Sequence, residues 1–223
     1  MAEPRTAAPR MQQYYAKRAA IYEQVYDKPE RQHELEWLRR RVPEVLRGRT
    51  VLEVACGTGY WTERISHTAK RIVATDIAPE PMSLARAKAY GCPVEFRIAD
   101  AYRLDQEIDP APGVFDGAFA GFWWSHVPLS RRTAFLRSLH ARLAPGARVV
   151  MFDNRYVAGA MHPIAETDAE GNTYQRRRLD DGSENRVLKN FPSREELERD
   201  FGRFPAYAYT ALRYYWLVEY RLP

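Results

Sequence analysis

Mostly apolar runs alternate with stretches of helical periodicity through the middle of the chain. Near-continuous apolar strands that alternate with helices are typical of parallel sheets with helices on both faces. The pattern therefore predicts an α/β fold: a Rossmann-like, doubly wound, seven-stranded sheet. The predicted strands cover 51–54, 71–76, 94–98, 115–121 and 147–152, and the predicted helices cover 61–65, 79–90 and 131–143.

A different pattern precedes this core. A helix is predicted to begin near Met11, and four of its side chains share one face, namely Tyr15, Ala19, Tyr22 and Tyr26. Such an aromatic stripe fits either packing against the sheet or a lid over a ligand. Pro29 suits the first turn of a second helix that runs to about Arg41.

The alternation breaks after Asp153 for about forty residues. Asp181-Gly182 is a hairpin turn signal, which predicts a β-hairpin inserted after the fifth strand. Ser193 and Glu196 have the spacing of a capping box at the start of a helix. Residues 213–221 are predicted to form an antiparallel last strand.

These elements predict one domain over residues 1–223. A chain of this length with 45% hydrophobic residues can bury a substantial core without a second domain. The predicted parts are an N-terminal helical cap at 1–45, a ligand-binding core at 46–153, an insertion at 154–192 and closing elements at 193–223.

The net charge of +5 raises the question of a nucleic-acid partner. Residues 1–50 hold eleven Lys or Arg against seven acids, whereas the rest holds 23 against 22. The Arg39-Arg-Arg41 run is typical of a solvated helix face, so no nucleic-acid partner is expected. Two cysteines without metal-ligand spacing and no long apolar run predict a cytoplasmic protein with no metal and no membrane span. The protein is expected to be a monomer or a homodimer, and the sequence does not decide between the two.

The segment from Val51 to Gly59 carries the most specific chemistry. An apolar strand meets Glu53 and then a glycine turn that opens a helix, which is the arrangement of a nucleotide-binding loop. A dinucleotide site needs a third glycine, but Thr62 occupies that position. A buried carboxylate at Glu53 would oppose a pyrophosphate and suit an ammonium, so the residues favour a cationic cofactor.

Later strands end in residues that suit the rest of such a cofactor. Asp76 follows Gly57 by nineteen residues, the spacing at which an acid accepts hydrogen bonds from ribose hydroxyls. Asp100-Ala101 ends the third strand and can meet an adenine. Glu53, Asp76, Asp100 and Gly121 recur at intervals of 23, 24 and 21 residues, one in each βα unit.

With these segments the chain resembles the class I S-adenosylmethionine-dependent methyltransferases, and the loop form Ala-Cys-Gly-Thr-Gly is similar to the small-molecule and quinone branch. The resemblance implies S-adenosylmethionine as cofactor and S-adenosylhomocysteine as product. It also implies the following cofactor contacts: Glu53, Ala55, Gly57, Gly59 and Gly121 at the methionine part, Asp76 at the ribose, Asp100, Ala101, Ile77 and Met82 at the adenine, and Tyr15 and Arg18 in the lid.

Aromatic residues after the fourth strand indicate the acceptor side. The predicted substrate-binding residues are Tyr14, Phe122, Trp123, Trp124, His126 and Tyr156. Their rings suit a small planar or aromatic metabolite. His126, at the edge where the acceptor should lie, is the predicted general base because histidine titrates near neutrality, and Tyr14 is a second catalytic candidate.

Three interpretations of function remain open at this point. The first is methyl transfer to an O, N or C atom of a small metabolite. The second is RNA or protein methylation, which the basic N-terminal region would suit. The third is a non-catalytic, cofactor-binding regulatory protein.

Overall fold

A seven-stranded mixed sheet forms the centre of the computed structural model, which describes residues 18–108, 114–179 and 182–223. Its strands stand in the order β3-β2-β1-β4-β5-β10-β9. They are β1 (Thr50–Val54), β2 (Arg71–Asp76), β3 (Val94–Ile98), β4 (Phe115–Gly121), β5 (Leu143–Asn154), β9 (Ala208–Ala211) and β10 (Tyr215–Arg221). The first five run parallel, and β10 pairs antiparallel with β5 and β9.

Helices cover both faces of this sheet. They are α1 (Gln32–Val45), α2 (Tyr60–Ser66), α3 (Pro79–Arg86), α4 (Leu104–Glu107), α5 (Arg132–His140) and α6 (Arg194–Phe201). The central strands are apolar throughout because they are buried on both sides, with Leu52, Val73 and Ala118 almost fully inaccessible. The predicted doubly wound sheet with an antiparallel end is therefore confirmed.

The chain before α1 differs from the expected α-helix. Residues Ala19–Tyr26 form a 3-10 helix, and a second short one spans Pro29–Arg31. The first is fixed to the core where the Thr58 hydroxyl donates to Glu23 Oε1 at 2.7 Å. The predicted start near Met11 lies outside the described residues.

A separate three-stranded antiparallel sheet follows β5. It consists of β6 (Glu166–Thr167), β7 (Thr173–Arg178) and β8 (Glu184–Leu188). Strands β7 and β8 pair from Tyr174 with Leu188 to Arg178 with Glu184, as the predicted hairpin requires. The expected capping box of α6 is also present: Ser193 Oγ accepts from the Glu196 amide, and Glu196 Oε2 accepts from the Ser193 amide.

The strand order reverses between β1 and β4: β2 and β3 lie on one side of β1, and β5 lies on the far side of β4. Parallel sheets bind ligands at the carboxyl ends of the strands beside such a reversal. This edge is where the Gly57 turn follows β1, Asp76 ends β2 and the aromatic loop follows β4. In the described part of the chain, no helix is long and apolar enough to cross a membrane.

Candidate functional site

A cavity of about 470 Å³ lies at this edge of the sheet. Its walls come from the loops after β1, β2, β3 and β4, from the 3-10 helix Ala19–Tyr26 and from the three-stranded sheet. The predicted residues that line it are Glu53, Ala55, Gly57, Asp76, Ile77, Asp100, Ala101, Gly121, Phe122, Trp123 and His126. The structure thus brings together most of the residues that the sequence selected.

The turn after β1 depends on its unusual backbone. Ala55, Gly57 and Gly59 all have positive φ, at 55°, 56° and 78°. Gly59 also packs tightly, because a Cβ placed there would lie 2.7 Å from Tyr90 Oη and 2.9 Å from Ala85 Cβ. Gly57 faces open space, where a Cβ would meet nothing within 4 Å. Gly59 therefore supports the loop from behind, and Gly57 lines the cavity.

The two glycines should respond differently to alanine. Gly57→Ala adds only the strain of a left-handed alanine, about 1–2 kcal/mol. Gly59→Ala adds the same strain and a clash with α3, so we expect it to lower the free energy of unfolding by about 3 kcal/mol or more. Urea unfolding of both variants measures this difference. Equal losses would show that the loop does not pack against α3 as described.

Glu53 is a buried acid with an unsatisfied oxygen. Its side chain is 1% exposed, and Oε2 has no hydrogen-bond partner among the described residues. Burial raises the pKa of Glu53 to about 8; the Thr62 hydroxyl opposes this rise and the charge of Asp76 adds to it. A cationic group in the cavity would satisfy this carboxylate, as the sequence predicts for an ammonium.

Asp76 connects the turn after β1 to the end of β2. Its two carboxylate oxygens accept from the amides of Gly57 and Ala78, both at 2.9 Å. Burial raises the pKa of Asp76, and these amides oppose the rise. Asp100 Oδ1 accepts from the Tyr102 amide at 2.9 Å at the end of β3. Each carboxylate is thus held by backbone N–H groups while its residue lines the cavity.

The structure corrects one predicted contact in the cavity wall beside Asp76. Ile77 is 47% exposed and lines the cavity, as a residue that packs on a flat base should. Met82 instead is buried in the core, and it is not among the lining residues. Pro81, on the preceding position of α3, lines the cavity in its place. The start of α3 presents Pro81 rather than Met82 because Met82 packs between the helix and the sheet.

Two of the predicted acceptor-side aromatics also lie elsewhere. Trp124 is fully buried and packs on Phe135 and Phe201, so it belongs to the core. Tyr156 is 42% exposed, contacts Phe191 and is not among the lining residues. The structure therefore does not place Trp124 or Tyr156 in the wall of the cavity.

Other rings complete the aromatic wall. Phe122 and Trp123 line the cavity as predicted, together with Tyr22, Tyr26, Tyr60 and Tyr102. Tyr26 stacks on Tyr60 with ring centroids 3.6 Å apart and packs against Phe122. The spacing of Tyr22 and Tyr26 in the N-terminal stripe was the sequence signal for two of these rings.

His126 lines the cavity but is a weak proton acceptor. Its Nδ1 donates to the Leu188 carbonyl at 2.7 Å, which leaves Nε2 unprotonated. Burial lowers the pKa of His126 to about 3, with further lowering by the charges of Lys189 and Arg177 and an opposing effect of Asp153. The expectation that it titrates near neutrality is wrong, since this imidazole is neutral across the physiological range.

A buried ion pair lies behind His126. Lys189 Nζ lies 3.0 Å from Asp153 Oδ1 and donates to Ser125 Oγ at 2.6 Å. Asp153 Oδ2 accepts from the Ser125 amide, and Oδ1 accepts from the Asn154 amide. Burial alone would raise the pKa of Asp153, but Lys189 and Ser125 hold it below its usual value. The pair attaches the three-stranded sheet to the ends of β4 and β5, and nothing in the sequence pattern indicated it.

Two arginines line the cavity beside the three-stranded sheet. The Arg131 guanidinium lies 3.6 Å from the centroid of the Tyr102 ring. Arg186 lies 3.3 Å from the centroid of the Tyr174 ring and forms a two-point ion pair with Glu166. The acids Glu53, Asp76 and Asp100 lie near the ends of strands. The cations lie elsewhere, Arg131 in the segment after β4 and Arg186 on β8 of the insertion.

The remaining predictions concern the lid and metals. Tyr14 and Tyr15 lie outside the described residues. Arg18 is described, but it is not among the residues that line the cavity. Within residues 18–108, 114–179 and 182–223, no group of three or more His, Cys, Asp or Glu could hold a metal ion.

Comparison with protein families places a methyltransferase domain at residues 51–146. The ubiquinone biosynthesis O-methyltransferase of Xanthomonas euvesicatoria pv. vesicatoria is 31% identical over 119 residues, which are 52% of this chain and 47% of that protein. The magnesium-protoporphyrin O-methyltransferase of Rhodobacter capsulatus is 33% identical over 76 residues, 34% of this chain and 33% of that protein. The chain spans about half the length, or less, of the curated relatives it matches.

Two solved structures align over nearly the whole chain. A DhpI–SAH complex is 28% identical with a TM-score of 0.79, covering 99% of this chain and 100% of the other. A DhpI–SAM–HEP complex is 26% identical with a TM-score of 0.78 and complete coverage of both chains. The similarity therefore extends beyond the matched domain to the N-terminal helices and the three-stranded sheet.

Proposed function

Because this chain is a member of the class I S-adenosylmethionine-dependent methyltransferases, we propose that it methylates a small molecule bound in the cavity. When bound, the cofactor would supply a methyl group already activated on a sulfonium. The enzyme's work is then alignment and the exclusion of water. The observation that carries the proposal is the unsatisfied, buried carboxylate of Glu53 beside the glycine turn.

The cavity residues fit each part of the proposed cofactor. Glu53 would pair with the ammonium, and the Gly57 backbone would approach the methionine part closely. Asp76 would accept from the ribose hydroxyls, since its carboxylate is already oriented by two amides. Ile77 and Ala101 would contact the adenine. Complexes with SAH and SAM among the similar solved structures support this assignment.

The aromatic wall would hold the sulfonium and the acceptor. The faces of Tyr26 and Phe122 suit a positive charge, and their bulk excludes water from the reacting atoms. Relatives named as O-methyltransferases favour oxygen as the methylated atom. His126 would form part of the wall on the acceptor side, and its low pKa does not suit it to remove a proton from the acceptor.

Calorimetry with S-adenosylhomocysteine tests the cofactor assignment. We expect Asp76→Ala to weaken binding roughly a hundredfold, because two charge-assisted hydrogen bonds to the ribose would be lost. Asp76→Asn keeps one acceptor oxygen for the Gly57 amide, so it separates ribose contacts from loop support. Asp105→Asn, away from the cavity, is the control and should bind normally. Equal affinities for all four proteins would remove the ribose assignment.

Cytoplasmic location and a monomeric or homodimeric state remain predictions from the sequence. Cell fractionation tests the first, and light scattering on the purified protein tests the second.

A further inference from the structure

Deepening the proposed function, on which it rests, we propose that the methyl acceptor carries an oxyanion, such as a carboxylate or a phosphate, and that Arg131 holds this group with help from Arg186. Both guanidinium groups line the same cavity as Glu53 and Asp76. The acceptor would be methylated on its anionic oxygen.

Arg131 is held in the cavity wall by an aromatic contact. Its guanidinium stacks on Tyr102, which fixes the plane of the group, and no acidic side chain of the described residues pairs with it. Most of the arginines with a half-buried or buried side chain have such a partner, as Arg132 has in Asp200. A preoriented guanidinium without a carboxylate, half-buried in a cavity wall, is suited to bind a planar or tetrahedral oxyanion at two points.

Arg186 brings the insertion into the same site. Its side chain is 45% exposed, and Nε and Nη2 pair with Glu166, so its charge is partly compensated. It therefore contributes less than Arg131. Arg177 shares the buried face of β7 with Gln175 and is not among the residues that line the cavity, but its charge reaches the site and lowers the pKa of His126 and of His162. The neighbouring Arg176 is exposed and pairs directly with Arg186 across the two strands, so it shares the face of Arg186.

Among the described residues, no side chain on the acceptor side of the cavity is suited to remove a proton from the acceptor. His126 is neutral and weakly basic, and Asp153 is paired with Lys189. The other acids that line the cavity, Glu53, Asp76 and Asp100, belong to the proposed cofactor end. A phenol or protonated amine would need a proton acceptor, whereas an oxyanion needs none. The anionic oxygen forms the new bond to the methyl carbon while the carbon–sulfur bond breaks, and its electron pair stays on sulfur. One negative charge and the sulfonium charge disappear together, and no proton moves.

Binding of small probes to the protein loaded with S-adenosylhomocysteine tests this assignment. The probes are inorganic phosphate, benzoate and phenyl phosphate, with benzamide as the neutral counterpart of benzoate. We expect the anions to bind saturably in competition with chloride, and benzamide to bind at least tenfold more weakly. Arg131→Met keeps the apolar contact with Tyr102 and should weaken anion binding by tenfold or more, with Arg131→Lys intermediate.

Arg194→Met is the matched control, since this side chain is 65% exposed on α6 and is not among the residues that line the cavity, so this variant should bind the anions normally. The proposal is overturned if benzamide binds as well as benzoate, if no anion binds, or if Arg131→Met and Arg194→Met behave alike. A protein that fails to bind S-adenosylhomocysteine at all would instead contradict the proposed function.

Label transfer from methyl-labelled cofactor into a metabolite extract gives an independent readout. Anion-exchange chromatography should show that the acceptor loses one negative charge on methylation. A labelled product that keeps its full negative charge, or that comes from a neutral acceptor, would overturn the proposal.

Discussion

Replacing Glu53 with glutamine is expected to weaken S-adenosylhomocysteine binding roughly a hundredfold, because a buried charge pair with the ligand ammonium is worth about 2–5 kcal/mol. The isosteric amide keeps the shape of the cavity but carries no charge. At neutral pH the wild type binds more weakly than this charge pair alone would allow, because a Glu53 carboxyl with a pKa of about 8 must lose its proton before it can pair with the ammonium. Affinity of the wild type should therefore increase as the pH rises toward 8.

The same substitution should stabilise the folded protein without ligand. Folding raises the pKa of Glu53 from 4.5 to about 8, so the folded state holds the proton more tightly than the unfolded state. The contribution of Glu53 to the stability of the folded protein is fully present below the pKa that Glu53 has in the unfolded state. It is lost as the pH rises through the pKa that Glu53 has in the folded state. Relative to wild type, the gain of Glu53→Gln should grow from about 1 kcal/mol near pH 5 to about 4 kcal/mol near pH 8.

Urea unfolding at these two pH values measures the gain, and calorimetry measures the lost affinity. Glu80→Gln on α3 is a matched control, because its carboxyl is exposed and should change neither quantity. A variant that loses affinity without a pH-dependent gain in stability would contradict the burial of an uncompensated carboxyl at Glu53. Normal affinity would remove Glu53 from the ligand site.

The sequence was sufficient for the sheet and for the strand ends. Central parallel strands are buried on both faces, so their apolar runs stand out, and the polar residue that ends each run must lie at one edge. Glu53, Asp76 and Asp100 are three such residues, and all line the cavity. The apolar pattern of each strand and the turn after it were enough to predict where these three residues lie. No contact between distant segments had to be known.

Residues beyond the strand ends depend on rotation and packing that local pattern does not determine. Trp123 and Trp124 are adjacent and chemically alike, yet a single turn of 3-10 helix sends one to the cavity and the other to the core. Met82 and Pro81 divide in the same way. Arg131 could not be separated from the other arginines because what distinguishes it is the contact with Tyr102, which comes from a different βα unit.

The pairing of Lys189 with Asp153 joins segments 36 residues apart and determines how the three-stranded sheet meets the site. Removing the cation alone, as in Lys189→Met, leaves a fully buried carboxylate with only the N–H donors of Ser125 and Asn154. We expect a loss of about 3–5 kcal/mol in the free energy of unfolding. Hydrogen exchange of the β8 amides should accelerate with it, because Lys189 directly follows that strand.

The double variant Lys189→Met/Asp153→Asn distinguishes a buried charge from lost packing. Asparagine keeps an acceptor oxygen for the backbone amides but carries no charge, so the double variant should be more stable than Lys189→Met alone. Arg186→Met breaks the half-exposed pair with Glu166 on the same sheet and should lower the free energy of unfolding by under about 1 kcal/mol.

NMR titration of His126 adds a local readout. Without the Lys189 charge the pKa of His126 should rise, while burial keeps it below its usual value. An unchanged His126 titration together with additive stability losses would mean that the pair does not act on the site, and the three-stranded sheet would then be held by its other contacts, such as the bond from His126 to Leu188.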